Sequence, residues 1–124
     1  MQLTLDTGNG AYQIRSYELG KVLVNDELIT TNCIISPEKL ITLWQPTSFA
    51  ELQLAHLQAI FELTPAIVLL GTGAEQRFLS AELLSVFYTR KIGIEVMNTA
   101  AACRTYNVLM AEQRKVVAAL FLLG

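Results

Sequence analysis

The fold is decided by a stretch in the middle of the chain, Pro65-Ala66-Ile67-Val68-Leu69-Leu70-Gly71-Thr72-Gly73. Its continuous apolar run from Ile67 to Leu70 lies between a proline and a glycine turn. Such a run is typical of a strand that is covered on both faces, as in a sheet with helices on either side. The flanking segments decide whether such helices and neighbouring strands exist.

Helix and strand patterns alternate around the central stretch. Downstream, the spacing of apolar residues predicts a helix over 80–90, a strand over 92–96, a third helix from 98 or 99 to about 112, and a last strand over 115–122. Upstream, Ser48 and Glu51 have the spacing of a capping box, which predicts a first helix that ends before Pro65. The helices are long enough to act as crossovers, so this order predicts parallel strand pairs.

Residues 11–45 have the character of strands instead. Apolar and polar residues alternate from Tyr12 to Tyr17, and a hairpin is predicted across the turn residues Asn25 and Asp26. Two more apolar segments, 33–36 and 39–44, extend this half, and residues 1–10 are expected to form a loose tail. The sequence therefore predicts a single α/β domain over 1–124, with a β-rich N-terminal half and an α-β-α-β-α-β C-terminal half.

The composition excludes several classes of function. The chain has 124 residues, of which 52% are apolar and 16% charged, and this fits a packed domain better than a disordered chain. Its 9 basic and 11 acidic residues give a net charge of −2, so we expect no binding to nucleic acid. One histidine and two cysteines are too few for most metal sites built from these residues. The sequence has no leader-like or membrane-spanning pattern, so we expect a soluble, cytoplasmic protein.

The Gly71-Thr72-Gly73 turn is the first candidate site, because phosphate-binding loops follow buried strands in this way. Glu95 lies 22 residues beyond Gly73, close to the spacing of a ribose-binding acid. However, Gln76 stands where the third glycine of that motif belongs. We therefore predict a tight turn that needs a positive φ and no nucleotide cofactor. Beyond the turn, Phe78 is expected to anchor the loop, with Arg77 either exposed or drawn into a nearby polar cluster.

The single histidine, His56, and the two cysteines, Cys33 and Cys103, are the candidates for acid–base or nucleophilic chemistry. His56 falls in the apolar arc of the predicted first helix, which favours a half-buried structural histidine. No Gly-x-Ser-x-Gly elbow accompanies it, and nothing in the sequence favours a Cys/His pair. We therefore predict no catalytic residues, and the sequence leans towards a protein that is not an enzyme.

The beginning of the third helix is the most informative segment. Asn98 and Thr99 can both cap this helix, and Arg104 lies one to two turns further on. One interpretation is a polar patch at an anion-attracting helix N-terminus. The other is structural, with Arg104 paired to Glu95 or Glu75 so that the helix is fastened to the sheet.

Two blocks of the sequence resemble the signature of one known family. They are LLGTGAEQRF over 69–78 and GIEVMNTAAACRTYN over 93–107, and the segments 36–37 and 44–46 resemble family features too. The resemblance covers 19–122, and by it the chain is identified as a member of the domain-of-unknown-function 498/598 family. This family of small bacterial and archaeal domains includes the mitochondrial respiratory complex I assembly factor 3. The chain departs from the common pattern at Leu79, where many relatives have proline, and at Asn98, where many have aspartate.

The resemblance implies a compact three-layer α/β domain around a mixed β-sheet. It also implies a non-catalytic assembly role for the mitochondrial branch, whereas the bacterial members have no established activity. The neutral side chain of Asn98 speaks against an obligatory catalytic acid at this position.

Three functions stay open at this point. We favour a non-catalytic protein-interaction or assembly module, linked through the resemblance to assembly of respiratory complex I. The alternative is a small-ligand-binding protein or an enzyme, with a pocket between the Gly71–Gly73 turn and the start of the third helix. The third is an oligomerising domain whose apolar last strand pairs with another chain.

The predicted pocket or interaction patch comprises Gly71, Thr72, Gly73, Arg77, Glu95, Asn98, Thr99, Cys103, Arg104 and Asn107. We predict a protein partner, no cofactor and no metal. Self-association and peripheral attachment to a membrane through the partner stay open.

Overall fold

A computed structural model describes residues 11–124, so the tail predicted over 1–10 lies outside the described residues. The strands are β1 (Ile14–Glu18), β2 (Lys21–Val24), β3 (Glu27–Ile29), β4 (Cys33–Ile35), β5 (Leu40–Ile41), β6 (Ile67–Thr72), β7 (Gly93–Met97) and β8 (Val116–Phe121). The helices are α1 (Gln58–Phe61), α2 (Ala81–Thr89) and α3 (Thr99–Ala111), and two 3₁₀ turns, Phe49–Glu51 and Leu54–Leu57, precede α1.

A mixed five-stranded sheet forms the centre, with the strand order β5-β4-β8-β6-β7. Strand β6 pairs in parallel with β7 and with β8, as the crossover helices predict. Strand β4 pairs antiparallel with β5 and with β8. The stretch Val68–Leu70 in β6 is fully buried, which confirms the prediction of a strand that is covered on both faces.

A second sheet of three antiparallel strands has the order β1-β2-β3. Gly20, with a φ of 90°, lies in the turn between β1 and β2, and Asn25, with a φ of 51°, lies in the turn between β2 and β3. The hairpin predicted at Asn25 and Asp26 is therefore confirmed. The pairing of β1 with β2 shifts between Ile14 and Ser16, so Arg15 is the extra residue of a β-bulge.

Two apolar cores lie on the two faces of the five-stranded sheet. On one face, α3 and the three-stranded sheet bury Tyr106, Val22 and Ile29 against the central strands. On the other face, α2 and the short helical segment bury Phe87 and Ile60. This arrangement confirms the three-layer α/β architecture around a mixed sheet.

The predicted first helix is wrong. In place of one helix between Ser48 and Pro65, the chain makes two 3₁₀ turns and the four-residue α1. The side chain of Ser48 caps nothing, and Glu51 accepts a hydrogen bond from the Thr47 hydroxyl at 2.5 Å. A capping box does form, but it forms further along the chain, between Gln53 and His56.

Packing against the end of β8 is the physical reason for this difference. The Phe121 ring lies 5.0 Å from the Trp44 ring and 5.8 Å from the Phe49 ring, measured between centroids. The Trp44 indole also donates a hydrogen bond to the carbonyl of His56 at 3.1 Å. These tertiary contacts override local helix propensity. They also shorten the strand predicted over 39–44 to β5, because Trp44 turns into the core.

Candidate functional site

The Gly71-Thr72-Gly73 turn lies at the carboxyl end of β6. Gly73 has a φ of 95°, which confirms the predicted positive-φ turn. Gly71 is needed for a different reason. A Cβ atom at Gly71 would lie 2.8 Å from Thr99 Oγ1 and 3.0 Å from Thr99 Cα, so only a residue without a side chain allows β6 and α3 to approach this closely.

Thr99, the first residue of α3, closes this contact. Its buried hydroxyl accepts a hydrogen bond from the Gly73 N–H at 2.7 Å and donates one to the Phe121 carbonyl at 2.6 Å. The Thr99 N–H in turn donates to the Gly73 carbonyl at 2.9 Å. We call Gly71, Gly73, Thr99 and Phe121 the junction. The pocket predicted between the turn and the start of α3 is not formed, because the two elements contact each other directly.

The start of α3 also differs from the anion-attracting site that the sequence suggested. The Asn98 side chain accepts a hydrogen bond from the Ala101 N–H at 2.8 Å, as an N-cap residue does. The Thr99 N–H is bonded within the junction. The protein's own oxygen atoms thus accept hydrogen bonds from the N–H groups of Thr99, Ala101 and Ala102, and Asn98 serves the fold.

The loop after the turn is held by Thr72. The Thr72 hydroxyl donates a hydrogen bond to the Glu75 carbonyl at 2.6 Å and accepts one from the Arg77 N–H at 3.2 Å. The Phe78 side chain is 88% exposed, so the prediction that it anchors the loop is wrong. Leu79, the next residue, is buried in the core on the α2 face instead.

The predicted ion pair of α3 with the sheet region is also wrong. Among residues 11–124, the one ion pair joins Lys21 to Glu18. Glu95 is exposed on β7, at the edge of the five-stranded sheet, and Arg104 is exposed on α3. Arg104 pairs with neither Glu95 nor Glu75, because it borders a groove beside β1.

This groove brings together three of the predicted site residues, Cys103, Arg104 and Asn107. It has a volume of about 210 Å³ and is lined by Ile14, Arg15, Ser16, Tyr17, Ala100, Cys103, Arg104 and Asn107. We call it the β1–α3 groove. The ten predicted residues thus do not form one patch, because the junction and the groove are separate places on α3, while Arg77 and Glu95 lie in neither.

Asn107 fastens α3 to the edge of β1. Its Oδ1 accepts a hydrogen bond from the Ile14 N–H at 3.0 Å, and its Nδ2 donates one to the Ile14 carbonyl at 2.7 Å. The hydroxyl of the adjacent residue, Tyr106, donates a hydrogen bond to the Tyr12 carbonyl at 2.7 Å. Sequence reasoning selected Asn107 but missed its partner β1, because no local pattern joins residues that lie 93 positions apart.

The two cysteines are buried and unreactive in character. Burial raises the pKa of Cys33 to about 12, with a smaller contribution from Cys103. Burial likewise raises the pKa of Cys103 to about 12, and the charge of Arg104 lowers it by less. A thiol that stays protonated at neutral pH is neither a nucleophile nor a metal ligand. Cys103 therefore closes the floor of the groove and supplies no chemistry to it.

His56 has the structural role that the sequence favoured. It is half-buried, and its Nδ1 accepts a hydrogen bond from the Gln53 N–H at 3.0 Å. Within residues 11–124, no group of three or more His, Cys, Asp and Glu side chains is arranged to hold a metal ion. None of the helices in this range is long and apolar enough to cross a membrane.

A larger cleft of about 1040 Å³ lies at the end of the five-stranded sheet opposite the junction, where β6 and β8 begin. None of the ten predicted site residues lines it. Its charged residues are of both signs, Arg15, Asp26, Glu38, Arg114 and Lys115. The cleft therefore has no clear preference for a charged ligand.

Comparison with known proteins gives consistent matches over most of the chain. The model of a family described as proteins of unknown function (DUF498/DUF598) matches residues 14–121. The NADH dehydrogenase (ubiquinone) 1 alpha subcomplex assembly factor 3 of Xenopus tropicalis is 31% identical over 109 residues, which are 86% of this chain and 59% of that protein. The chain thus spans less than two thirds of the length of this relative.

Two solved structures have the same fold. A crystal structure of a Bordetella parapertussis protein superposes with a TM-score of 0.85 at 33% identity, covering 91% of this chain and 97% of that one. An NMR structure of a Xanthomonas campestris protein superposes with a TM-score of 0.84 at 38% identity, covering 98% of this chain and 92% of that one.

Proposed function

The chain belongs to the DUF498/DUF598 family of proteins of unknown function, and we propose that it is a non-catalytic protein-interaction module that assists the assembly of a larger complex. A relative that is similar over 86% of this chain is named as an assembly factor of NADH dehydrogenase. We extend the proposal to assembly of respiratory complex I on this ground. A cytoplasmic location, with membrane attachment only through a partner, completes it.

The observation that carries the proposal is the exposure of Phe78. This ring is 88% exposed although the backbone of its loop is held by Thr72. Leu123 is 70% exposed and Leu19 is 60% exposed. Both lie at the end of the five-stranded sheet where β8 ends, since the Gly20 N–H donates a hydrogen bond to the Leu122 carbonyl. We call Leu19, Phe78 and Leu123 the apolar end. Aromatic side chains that project from an ordered surface are typical anchors of protein interfaces.

The candidate chemical groups support a non-catalytic role. The buried thiols of Cys33 and Cys103 stay protonated, and His56 is bonded to the backbone of Gln53. The junction has no room for a substrate, since a single added methyl group at Gly71 would collide with Thr99. What the described residues leave accessible to a partner is their surface, and a surface suits binding to another protein.

The test is affinity capture from detergent-solubilised cells of the source organism, with quantitative mass spectrometry of what is recovered. Three baits are compared: the wild type, Phe78→Ser, and Tyr88→Ser as a matched control at an aromatic residue of α2 that is 67% exposed. We expect respiratory complex I subunits to be enriched with the wild type and with Tyr88→Ser, and to be lost with Phe78→Ser.

Two other outcomes contradict parts of the proposal. Recovery of no specific protein contradicts the interaction module as a whole. Specific recovery of proteins unrelated to respiration contradicts the link to complex I but supports the protein-interaction function. Deletion of the gene gives an independent check, since the proposal expects less assembled complex I on native gels.

A further inference from the structure

We propose that the β1–α3 groove binds an extended acidic segment of a partner protein, which pairs with the edge of β1 and places a carboxylate at Arg15 and Arg104. This inference rests on the proposed function and specifies a second contact with the partner. The segment would add one strand to the three-stranded sheet, a common mode of peptide recognition.

The backbone of β1 has an edge that faces the groove. Glu18 and Lys21 flank the tight turn and pair across it, and Tyr17 pairs with Val22 one step further from the turn. Hydrogen-bonded and non-bonded pairs alternate along an antiparallel ladder, so the N–H and carbonyl of Tyr17 point away from β2. Among residues 11–124, no group outside the ladder bonds to them. A strand placed in the groove could therefore accept a hydrogen bond from the Tyr17 N–H and donate one to the Tyr17 carbonyl.

The other outward-facing residue of β1 shows what this edge accepts. The Asn107 amide bonds to both the N–H and the carbonyl of Ile14, as the backbone of a neighbouring strand would. Asn107 also lines the groove next to Tyr17. The side chain thus starts a strand-like pairing that an incoming segment would continue along β1.

The charge of the groove selects an acidic segment. Within the part of the chain that the structure describes, its charged lining residues are two arginines, Arg15 on the bulge of β1 and Arg104 on α3, and no acidic residue of this part lines it. Neither guanidinium forms an ion pair with a described residue, although the whole chain has a net charge of −2. A guanidinium matches the geometry of a carboxylate and can bind it through two hydrogen bonds. The groove is therefore a positive site on an acidic protein.

The size of the groove favours a peptide over a cofactor as its ligand. Sites for small molecules usually enclose about 300–1,000 Å³. The β1–α3 groove has about 210 Å³, and its floor is the buried Cys103. This volume suits one or two side chains of an extended segment whose remaining residues run along the surface.

The experiment selects peptides from a library of random displayed decapeptides on the full-length protein. The recovered decapeptides are then titrated against the wild type, the double variant Arg15→Gln/Arg104→Gln, and Arg77→Gln as a control. Arg77 is an exposed arginine outside the groove. We expect recovered peptides to be enriched in Asp and Glu. We expect the double variant to bind them about tenfold more weakly, because the carboxylate loses both of its charged partners and these partners are exposed to solvent.

A second readout distinguishes strand addition from simple charge attraction. Binding of a recovered peptide should slow hydrogen exchange of the Tyr17 amide in the wild type. The inference is overturned if no peptide is recovered, if acidic residues are not enriched, if the double variant binds as tightly as Arg77→Gln, or if exchange at Tyr17 is unchanged.

The two proposals can fail separately. If a cellular partner is captured through Phe78 while the peptides ignore Arg15 and Arg104, the groove assignment falls and the interaction module stands. If acidic peptides bind the groove but cells yield no partner, the module in its proposed form falls and the groove assignment stands.

Discussion

The first turn of α3 and the two turns that follow it contact the rest of the molecule in opposite ways. In the first turn, the hydroxyl and N–H of Thr99 are all bonded within the junction, and nothing reaches them from solvent. In the following turns, Arg104 has no bonded partner among residues 11–124, and it borders an open groove. The sequence places both regions in one polar patch, yet only the second is accessible to a ligand.

The difference teaches how to separate structural polar residues from binding residues. Buried polar atoms must find partners, because an unsatisfied one costs about 1–3 kcal/mol. The polar side chains of Thr99 and Asn98 are hydrogen-bonded within the protein at the start of α3, so they are not available to a ligand. A charged side chain without a bonded partner is available for binding, and Arg104 has none among the described residues 11–124.

The strongest way to break the junction is to fill the space that Gly71 leaves. We expect Gly71→Ala to lower the free energy of unfolding by about 2–5 kcal/mol, since overpacking adds to the loss of the Thr99 hydrogen bonds. Gly93→Ala is the matched control, because its Cβ would meet Ile67 Cγ1 at an ordinary 3.4 Å. Urea denaturation of both variants measures the difference. Equal stabilities of Gly71→Ala and Gly93→Ala would show that the junction accommodates an added methyl group without a large cost.

Removing only the polar atom of the junction should cost less. Thr99→Val keeps the shape but leaves the Gly73 N–H and the Phe121 carbonyl without their partner. We expect a loss of about 1–3 kcal/mol in the free energy of unfolding. Thr89→Val, at an exposed position of α2, should change it by less than about 0.5 kcal/mol. If the two variants are equally stable, the hydroxyl is not the closing element.

The sequence predicts the strands and long helices well because their signals are local. The apolar run at Ile67–Leu70, the caps of α2 and α3, and the turn at Asn25 each lie within a few residues of the element that they define. The predicted first helix fails because contacts distant in the chain decide its path. Phe121 and Trp44 draw this segment onto the sheet, and no periodicity within 48–65 encodes that contact.

The candidate site is predicted in its residues but not in its geometry. Cys103, Arg104 and Asn107 are selected from their place on α3, and they do lie together. Their neighbours on β1 come from the other end of the chain, and the bulge at Arg15 is not visible in the alternation of residues 12–17. The residue types identify candidate binding residues. The fold then determines which of these side chains are bonded within the protein and which can bind a ligand.

Titration of the buried thiols gives a further test of the core beneath the groove. Burial raises the pKa of Cys33 and of Cys103 from the 9.0 of an ordinary thiol to about 12. Their stabilising contribution is thus fully present below about pH 9 and is lost as the pH rises towards 12. By pH 10 the loss should be about 1 kcal/mol per thiol.

The measurement compares the double variant Cys33→Ala/Cys103→Ala with the wild type between pH 7 and pH 10. The variant starts from a lower stability, since it lacks two buried side chains. Its stability should nevertheless decline less over this range. Parallel pH profiles would mean that the thiols titrate normally and that solvent reaches the floor of the groove.

The smallest expected effect on stability belongs to Arg104, one of the two arginines that we propose bind an acidic segment. We expect Arg104→Gln to change the free energy of unfolding by less than about 0.5 kcal/mol, because the guanidinium has no bonded partner to lose among residues 11–124. Arg90→Gln is the informative control, since the Arg90 guanidinium lies 4.2 Å from the centre of the Phe61 ring. Its loss should cost about 0.5–1 kcal/mol, as for a cation–π contact at an exposed site. If chemical denaturation shows that Arg104→Gln costs more than Arg90→Gln, then Arg104 serves the fold as Thr99 does, and the contrast between the two parts of α3 is lost.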